Sequence, residues 1–270
     1  MSHYVDTRGA RIAFDDTGPR DAPAIFFSHG ILMDRTMFVP QVADLSRDHR
    51  CISWDERGHG ETTQSGSWTY WDSAHDLLDL MDHLEIDNAV LAGMSQGGFI
   101  SLRAALLAPD RVRALVIIDS QAGPEPEHLA PMYKSMLDRW LAEGGQDVVD
   151  GVASVILGPA DRNPDSTLGG AMQSSWKKKW LARERSWPVE PFKTLVERED
   201  LHDRLPQIAC PALVIHGSQD AAIPVELAER LCDGLPGCER ILVVDGAGHA
   251  ANLSHPAQVT AAMRSFLANL

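Results

Sequence analysis

The sequence is short of basic residues, of cysteine and of long apolar runs. Of its 270 residues, 24 are Lys or Arg against 38 Asp or Glu, a formal net charge of -14. Phosphate backbones and anionic lipid surfaces are held by concentrated Lys and Arg, so neither a nucleic acid nor a membrane surface is an expected partner. Lysine is scarcest, with five residues, at Lys134, Lys177, Lys178, Lys179 and Lys193. The four cysteines, Cys51, Cys210, Cys232 and Cys238, form no CxxC pair and no cluster with metal-ligand spacing. They read as reduced, partly buried thiols of a cytoplasmic protein. No apolar run reaches roughly 18 residues, and the polar, alternating N-terminus lacks the apolar stretch of a signal peptide. Neither membrane spanning nor secretion is expected. An HxHxDH metal pattern is absent, His59-Gly-Glu61 is too sparse for zinc, and Gly93-x-x-x-Gly97-Gly98 lacks the GxGxxG spacing of dinucleotide sites. No metal and no cofactor is therefore expected.

What is present is an ordinary globular composition, 44% hydrophobic, in a chain long enough to bury about three quarters of its unfolded surface. Short runs rich in Val, Ile and Leu at 11–15, 24–28, 51–55, 89–92, 114–119, 212–216 and 240–244 alternate with segments of helical period. That alternation predicts an α/β fold, a mostly parallel sheet flanked by helices. Over 70–84, Ala74, Leu77, Leu78, Met81 and Leu84 share one face, with acids and histidines opposite, an amphipathic helix. Residues 124–206 break the pattern, with helical periodicity at 129–142, 148–157, 168–183 and 191–198, no strand, and breakers at Gly144-Gly145, Gly158-Pro159 and Trp187-Pro188. The segment carries 11 basic and 14 acidic groups, every lysine and four of the seven tryptophans; the other 187 residues carry 13 and 24. It reads as a helical lid, 124–206, inserted into a core of 1–123 and 207–270. There is no repeat and no low-complexity tract.

The chemistry concentrates around Gly93-x-Ser95-x-Gly97, between an apolar strand and a helical stretch. A sharp strand-to-helix turn there holds a serine in a strained backbone conformation, and glycines are needed where side chains would collide with neighbouring elements. The hydroxyl then stands above the sheet at a helix N-terminus, which favours developing negative charge. A serine needs a base, and the base needs an orienting partner. Asp220 follows the strand ending His216-Gly217, and His249 follows the strand ending Asp245-Gly246. Each thus lies just beyond a strand, and parallel strands present those ends along one edge. Asp119 is the rival acid and His255, beside a Ser254 helix cap, the rival histidine. His29, His59, Asp55 and Asp245 read as loop-shaping residues.

The motifs Phe27-Ser-His-Gly-Ile-Leu32, Trp54-Asp-Glu-Arg-Gly-His-Gly60, Gly93-Met-Ser-Gln-Gly-Gly98, Gly217-Ser-Gln-Asp220 and Gly248-His249 together resemble the α/β-hydrolase superfamily, in its lid-bearing serine esterase and lactonase branch, similar to 3-oxoadipate enol-lactonases. The resemblance implies Ser95 as nucleophile, His249 as base and Asp220 as its orienting acid. It implies an oxyanion hole from the backbone N–H groups of Ile31 and Gln96, each such donor being worth about 3–4 kcal/mol in the transition state. A small-molecule ester or lactone is the implied partner. The same scaffold also hosts C–C bond hydrolysis, thioester cleavage, cofactor-free peroxidation and, without turnover, ligand reception. Leu32 and Met94 are candidate substrate contacts. Trp176 and Trp180, spaced i,i+4, flank Lys177-Lys178-Lys179 and read either as a packed aromatic pair beside a solvated basic run, the reading favoured for the lysines, or as candidates for an apolar acyl pocket, with a lid lysine or arginine steering an anionic substrate.

Overall fold

A computed structural model describes residues 2–143, 146–158 and 166–270. The breakers Gly144-Gly145 and Pro159 lie outside the described residues. The apolar runs form β3 (Ala24–Ser28), β4 (Arg50–Trp54), β6 (Ala89–Met94), β7 (Val112–Ile118) and β8 (Ala212–Gly217), preceded by β1 (His3–Asp6) and β2 (Ala10–Thr17), with β5 (Thr63–Gln64) and β9 (Cys238–Val244) completing the sheet. The order is β1-β2-β4-β3-β6-β7-β8-β9, with β5 paired to β2. From β4 through β9 every pairing is parallel, whereas β1, β2 and β5 pair antiparallel at one edge. Strands β3, β4 and β6 are buried at every position, as expected of a sheet covered on both faces. The sequence pattern missed β1 and β5 because a short polar edge strand has no apolar run to announce it.

The helices are α1 (Val39–Leu45), α2 (Tyr70–His83), α3 (Gln96–Leu107), α4 (Ala130–Glu143), α5 (Gln146–Ile156), α6 (Ser166–Leu181), α7 (Val189–Val196), α8 (Val225–Gly234), α9 (Ala251–Ser254) and α10 (Pro256–Leu267). Helix α2 starts at a capping box in which Asp72 Oδ2 accepts from the Thr69 N–H at 2.8 Å and Thr69 Oγ1 accepts from the Asp72 N–H at 3.4 Å. Its inner face also buries Asp76, an acid that the apolar pattern cannot explain. Arg57 supplies the reason, donating to both carboxylate oxygens at 2.5 and 2.9 Å.

Helices α4 to α7 fall between β7 and β8, and no strand occurs there among the described residues. Contacts to the loops after β3 and β4 hold α6 and the segment between α6 and α7: Trp180 Nε1 donates to the Leu32 carbonyl at 2.6 Å, Arg183 to that of Gly60 at 2.7 Å and Trp187 to that of Gly58 at 2.5 Å.

Two expectations need correction. Cys232 and Cys238 are joined by a disulfide, because the turn from α8 into β9 brings their Cα atoms to 5.3 Å. Cys51 and Cys210 are free, and burial pushes their thiols up to about 12 and about 11. Ser254 is not a helix cap either. His255 occupies that position, and the Ser254 hydroxyl donates back to the Ala250 carbonyl at 3.2 Å. Among the described residues no helix is long and apolar enough to cross a membrane.

Candidate active site

Ser95 sits between β6 and α3 with φ 51° and ψ -114°, a left-handed conformation that a serine adopts only under constraint. Its N–H donates to the Ile118 carbonyl at 2.9 Å, and its carbonyl accepts from Gly98 N–H at 2.9 Å and Ser120 Oγ at 2.7 Å. The turn is thus pinned to β7 from both sides. Gly97 faces the end of β3, where a methyl group would lie 2.5 Å from the Ser28 carbonyl carbon. Only glycine lets α3 begin there.

His249 Nε2 lies 3.1 Å from Ser95 Oγ, and Nδ1 lies 2.8 Å from Asp220 Oδ2. The three side chains that the sequence placed after different strands therefore meet in one hydrogen-bonded series. Asp220 Oδ1 accepts from the Ala222 and Ile223 N–H groups at 2.8 and 2.9 Å, which fixes the carboxylate plane. Burial opposes ionisation of Asp220, but the His249 charge and hydrogen bonds from His216, His249 and the Ile223 N–H outweigh it and hold the carboxyl well below its usual range. Burial likewise disfavours charged His249. The Asp220 carboxylate, with Asp119 further off, more than offsets this and raises its pKa above 6.5.

Asp119 does not touch His249 by hydrogen bond. Its two oxygens accept from the Gly217 and Ala251 N–H groups, each at 2.8 Å, tying together the segments that carry Asp220 and His249. Burial and the Asp220 charge raise its pKa to about 7. Among the described residues Asp119, His216 and Asp220 are the one group with metal-ligand proximity, within 4.8 Å. Their carboxylate oxygens already accept four backbone N–H groups, a donor set of an internal brace rather than of an ion cradle.

The loop after β3 is braced by neutral histidines. His29 Nε2 accepts from the Glu56 N–H at 3.1 Å, which leaves Nδ1–H for the Gly30 carbonyl at 2.8 Å. His59 Nε2 accepts from the Leu32 N–H at 3.1 Å and Nδ1–H faces the Arg57 carbonyl at 2.8 Å. Burial lowers the pKa of both rings. Ile31, between these anchors, faces Ser95 across the cavity, and Gln96 opens the first turn of α3, where N–H groups lack intrahelical acceptors. The Gln96 side chain points elsewhere, donating to Glu56 Oε2 and accepting from the Tyr70 hydroxyl. Burial raises the Glu56 pKa well above its usual value. Glu56 lies within the Trp54–Gly60 motif, but no apolar periodicity marks it as buried.

A cavity of about 460 Å³ opens above Ser95 and His249. Ile31, Leu32 and Phe99 form its floor, and Met136, Val152 and Phe192 its roof. Of the candidate substrate contacts only Leu32 lines it. Met94 is buried beneath Gly30. Trp176 and Trp180 line a separate cavity of 400 Å³ with Arg35, Lys179 and Trp187. The i,i+4 spacing correctly puts both indoles on one face of α6, but that face is turned to the loop after β3. No lysine lines the Ser95 cavity either. Lys134, Lys177 and Lys179 are paired with Asp138, Asp150 and Asp34.

A family profile described as the alpha/beta hydrolase fold matches residues 23–256, and the chain belongs to this family. Among its relatives, a 3-oxoadipate enol-lactonase of Acinetobacter baylyi is 24% identical over 265 residues, covering 93% of this chain and 91% of the relative. A protein named putative carbamate hydrolase, from Pseudomonas savastanoi, is 26% identical over 256 residues, covering 92% and 94%. The solved structure of a thermophilic esterase from Thermogutta terrifontis, with malate bound, superposes with TM-score 0.88 at 27% identity, covering 100% of this chain and 98% of that one.

Proposed function

We propose that the protein is a serine hydrolase of carboxylic esters or lactones, acting through an acyl-enzyme. The observation that carries this reading is the series Ser95 Oγ, His249 Nε2, His249 Nδ1 and Asp220 Oδ2, with links of 3.1 and 2.8 Å, at the floor of an apolar cavity. Ser95 Oγ attacks the substrate carbonyl while His249 takes its proton. The depressed pKa of Asp220 keeps it anionic, so it orients the imidazole and stabilises the imidazolium without becoming protonated. The backbone N–H groups of Ile31 and Gln96 hold the oxyanion. His249 then protonates the leaving alkoxide, and a water activated by the same imidazole releases the acid. In a lactone the leaving alkoxide stays attached to the acyl chain, so a single product is released. Residues 124–206 serve as a lid over a core of 1–123 and 207–270, contributing the cavity roof. The esterase and enol-lactonase names of the relatives support the same reaction class.

The test is Ser95→Ala. Hydrolysis of p-nitrophenyl butyrate is expected to fall by about a thousandfold or more, with unchanged thermal unfolding, and a fluorophosphonate should label the wild type at Ser95 and leave the variant unlabelled. Full turnover by a folded Ser95→Ala variant would overturn the assignment.

A further inference from the structure

The Ser95 cavity contains one buried ion pair that the reaction does not use. Arg198, whose side chain is 1% exposed, pairs through Nη1 with Glu125 Oε2, whose side chain is 7% exposed. The guanidinium also donates from Nε to the Gly123 carbonyl at 3.0 Å and from Nη1 to the Leu195 carbonyl at 2.8 Å, and it stacks over Phe99 with its carbon 4.5 Å from the ring centroid. Glu125 further accepts from the Tyr133 hydroxyl. Arg198, Glu125, Tyr133 and Phe99 all line the cavity, and Phe99 lies one helical turn beyond Ser95.

An arginine in an apolar hydrolase cavity would ordinarily be read as an anchor for a substrate carboxylate, since its fork matches that group. Here one arm of the fork, Nη1, is already paired with a carboxylate of the chain itself. A second carboxylate would have to displace Glu125, leaving a buried acid unpaired, or lie beside it as a like charge out of water. Among the described residues the other charged side chains lining the cavity are Arg139 and Asp147, both exposed, so the described lining carries two cations and two anions. We infer that the cavity takes a neutral, apolar acyl group and that Glu125 is the residue that excludes carboxylated substrates by occupying Arg198. This rests on the ester-hydrolase reading above and narrows it to uncharged esters and lactones.

The experiment uses three p-nitrophenyl esters of equal acyl length: the hexanoate, the adipate half-ester with a free terminal carboxylate, and the same adipate capped as its methyl ester. For the wild type, kcat/KM is expected to be similar for the hexanoate and the capped adipate and at least about tenfold lower for the free acid. In Glu125→Gln the amide oxygen still meets Arg198 but the negative charge is gone, so the ratio of capped to free adipate should fall by about tenfold. A wild type that handles the free acid as well as the capped ester overturns the inference without any variant. An unchanged ratio in a folded Glu125→Gln variant overturns the role of Glu125. If none of the three esters is turned over, the hydrolase reading itself falls.

Discussion

The same substitution, glycine to alanine in a helix, should have opposite consequences at two positions of this chain. Gly97 lies in the first turn of α3 and Gly151 in the middle of α5, and neither has a left-handed φ. Helix propensity alone favours alanine by about 1 kcal/mol at both. Around Gly151 a methyl group would meet nothing within 4 Å, so that gain should be realised, raising Tm by roughly 2 °C. At Gly97 the methyl would lie 2.5 Å from the Ser28 carbonyl carbon and 2.9 Å from the His29 oxygen. These are backbone atoms of a buried strand end and cannot rotate away. Overpacking costs about 1–3 kcal/mol, and rigid neighbours place this case at the upper end, so the net loss is about 2 kcal/mol after the propensity gain. Tm should fall by about 4 °C. Relief of the clash must push Ser28 and His29, and with them Ile31, away from Ser95, so esterase activity should drop far more than stability. Differential scanning calorimetry and p-nitrophenyl butyrate turnover on both variants decide the matter. A Gly97→Ala protein as stable and as active as Gly151→Ala would refute the argument that the elbow is sterically locked against β3.

Two further outcomes follow from titration and covalent structure. His249 must be neutral to accept the Ser95 proton, and Asp220 raises its pKa, so kcat/KM should fall on the acid side through an apparent pKa above 6.5. Asp220→Asn removes the raising charge while burial stays, moving that limb to lower pH as kcat drops by about four orders of magnitude; a wild-type limb at or below 6.5 would contradict the pairing. In the absence of reductant, dithionitrobenzoate in guanidinium chloride should titrate two thiols, from Cys51 and Cys210. The double variant Cys232→Ser/Cys238→Ser should lose about 2 kcal/mol in denaturant unfolding, the loop being short; four titratable thiols would show that the bond does not form.

The trio at the site was legible because each member immediately follows a strand. In a parallel sheet those ends share one edge, so one-dimensional order translates into proximity for Ser95, Asp220 and His249, while the choice of Asp220 over Asp119, which also follows a strand, came from the family resemblance. The indoles of α6 show where such translation stops. Spacing fixes that Trp176 and Trp180 share a face, but which way the face turns is decided by packing against the Leu32 loop, and the Trp180 bond to the Leu32 carbonyl is a contact across 148 residues. The Glu125–Arg198 pair spans 73 residues and involves two charges that sequence reasoning assigns to solvent. Asp119 was legible as an acid near the site but not as a brace, because its role lies in two backbone N–H groups that carry no sequence signature.

The confinement of lysine to residues 124–206 looked like a device for attracting an anionic substrate, and the structure gives it a different physical meaning. The rest of the chain carries 13 basic and 24 acidic groups, so a segment that must rest on it gains from cations at the contact. Lys179 meets Asp34 at 2.7 Å, while Arg183 donates to the Gly60 carbonyl, where burial lowers its pKa and the charges of Asp55 and Asp34 oppose that only in part. The Lys179 side chain is 40% exposed, so its pairing contributes at most about 1 kcal/mol and weakens with salt. Such pairs set the register of α6 more than they hold it down. The adhesion itself comes from Trp180, 2% exposed, whose burial contributes on the order of 3 kcal/mol. The cations of this segment therefore help to orient α6 on an acidic neighbour, and the discrimination among substrates inferred above rests on the cavity interior, where Glu125 pairs with the buried Arg198.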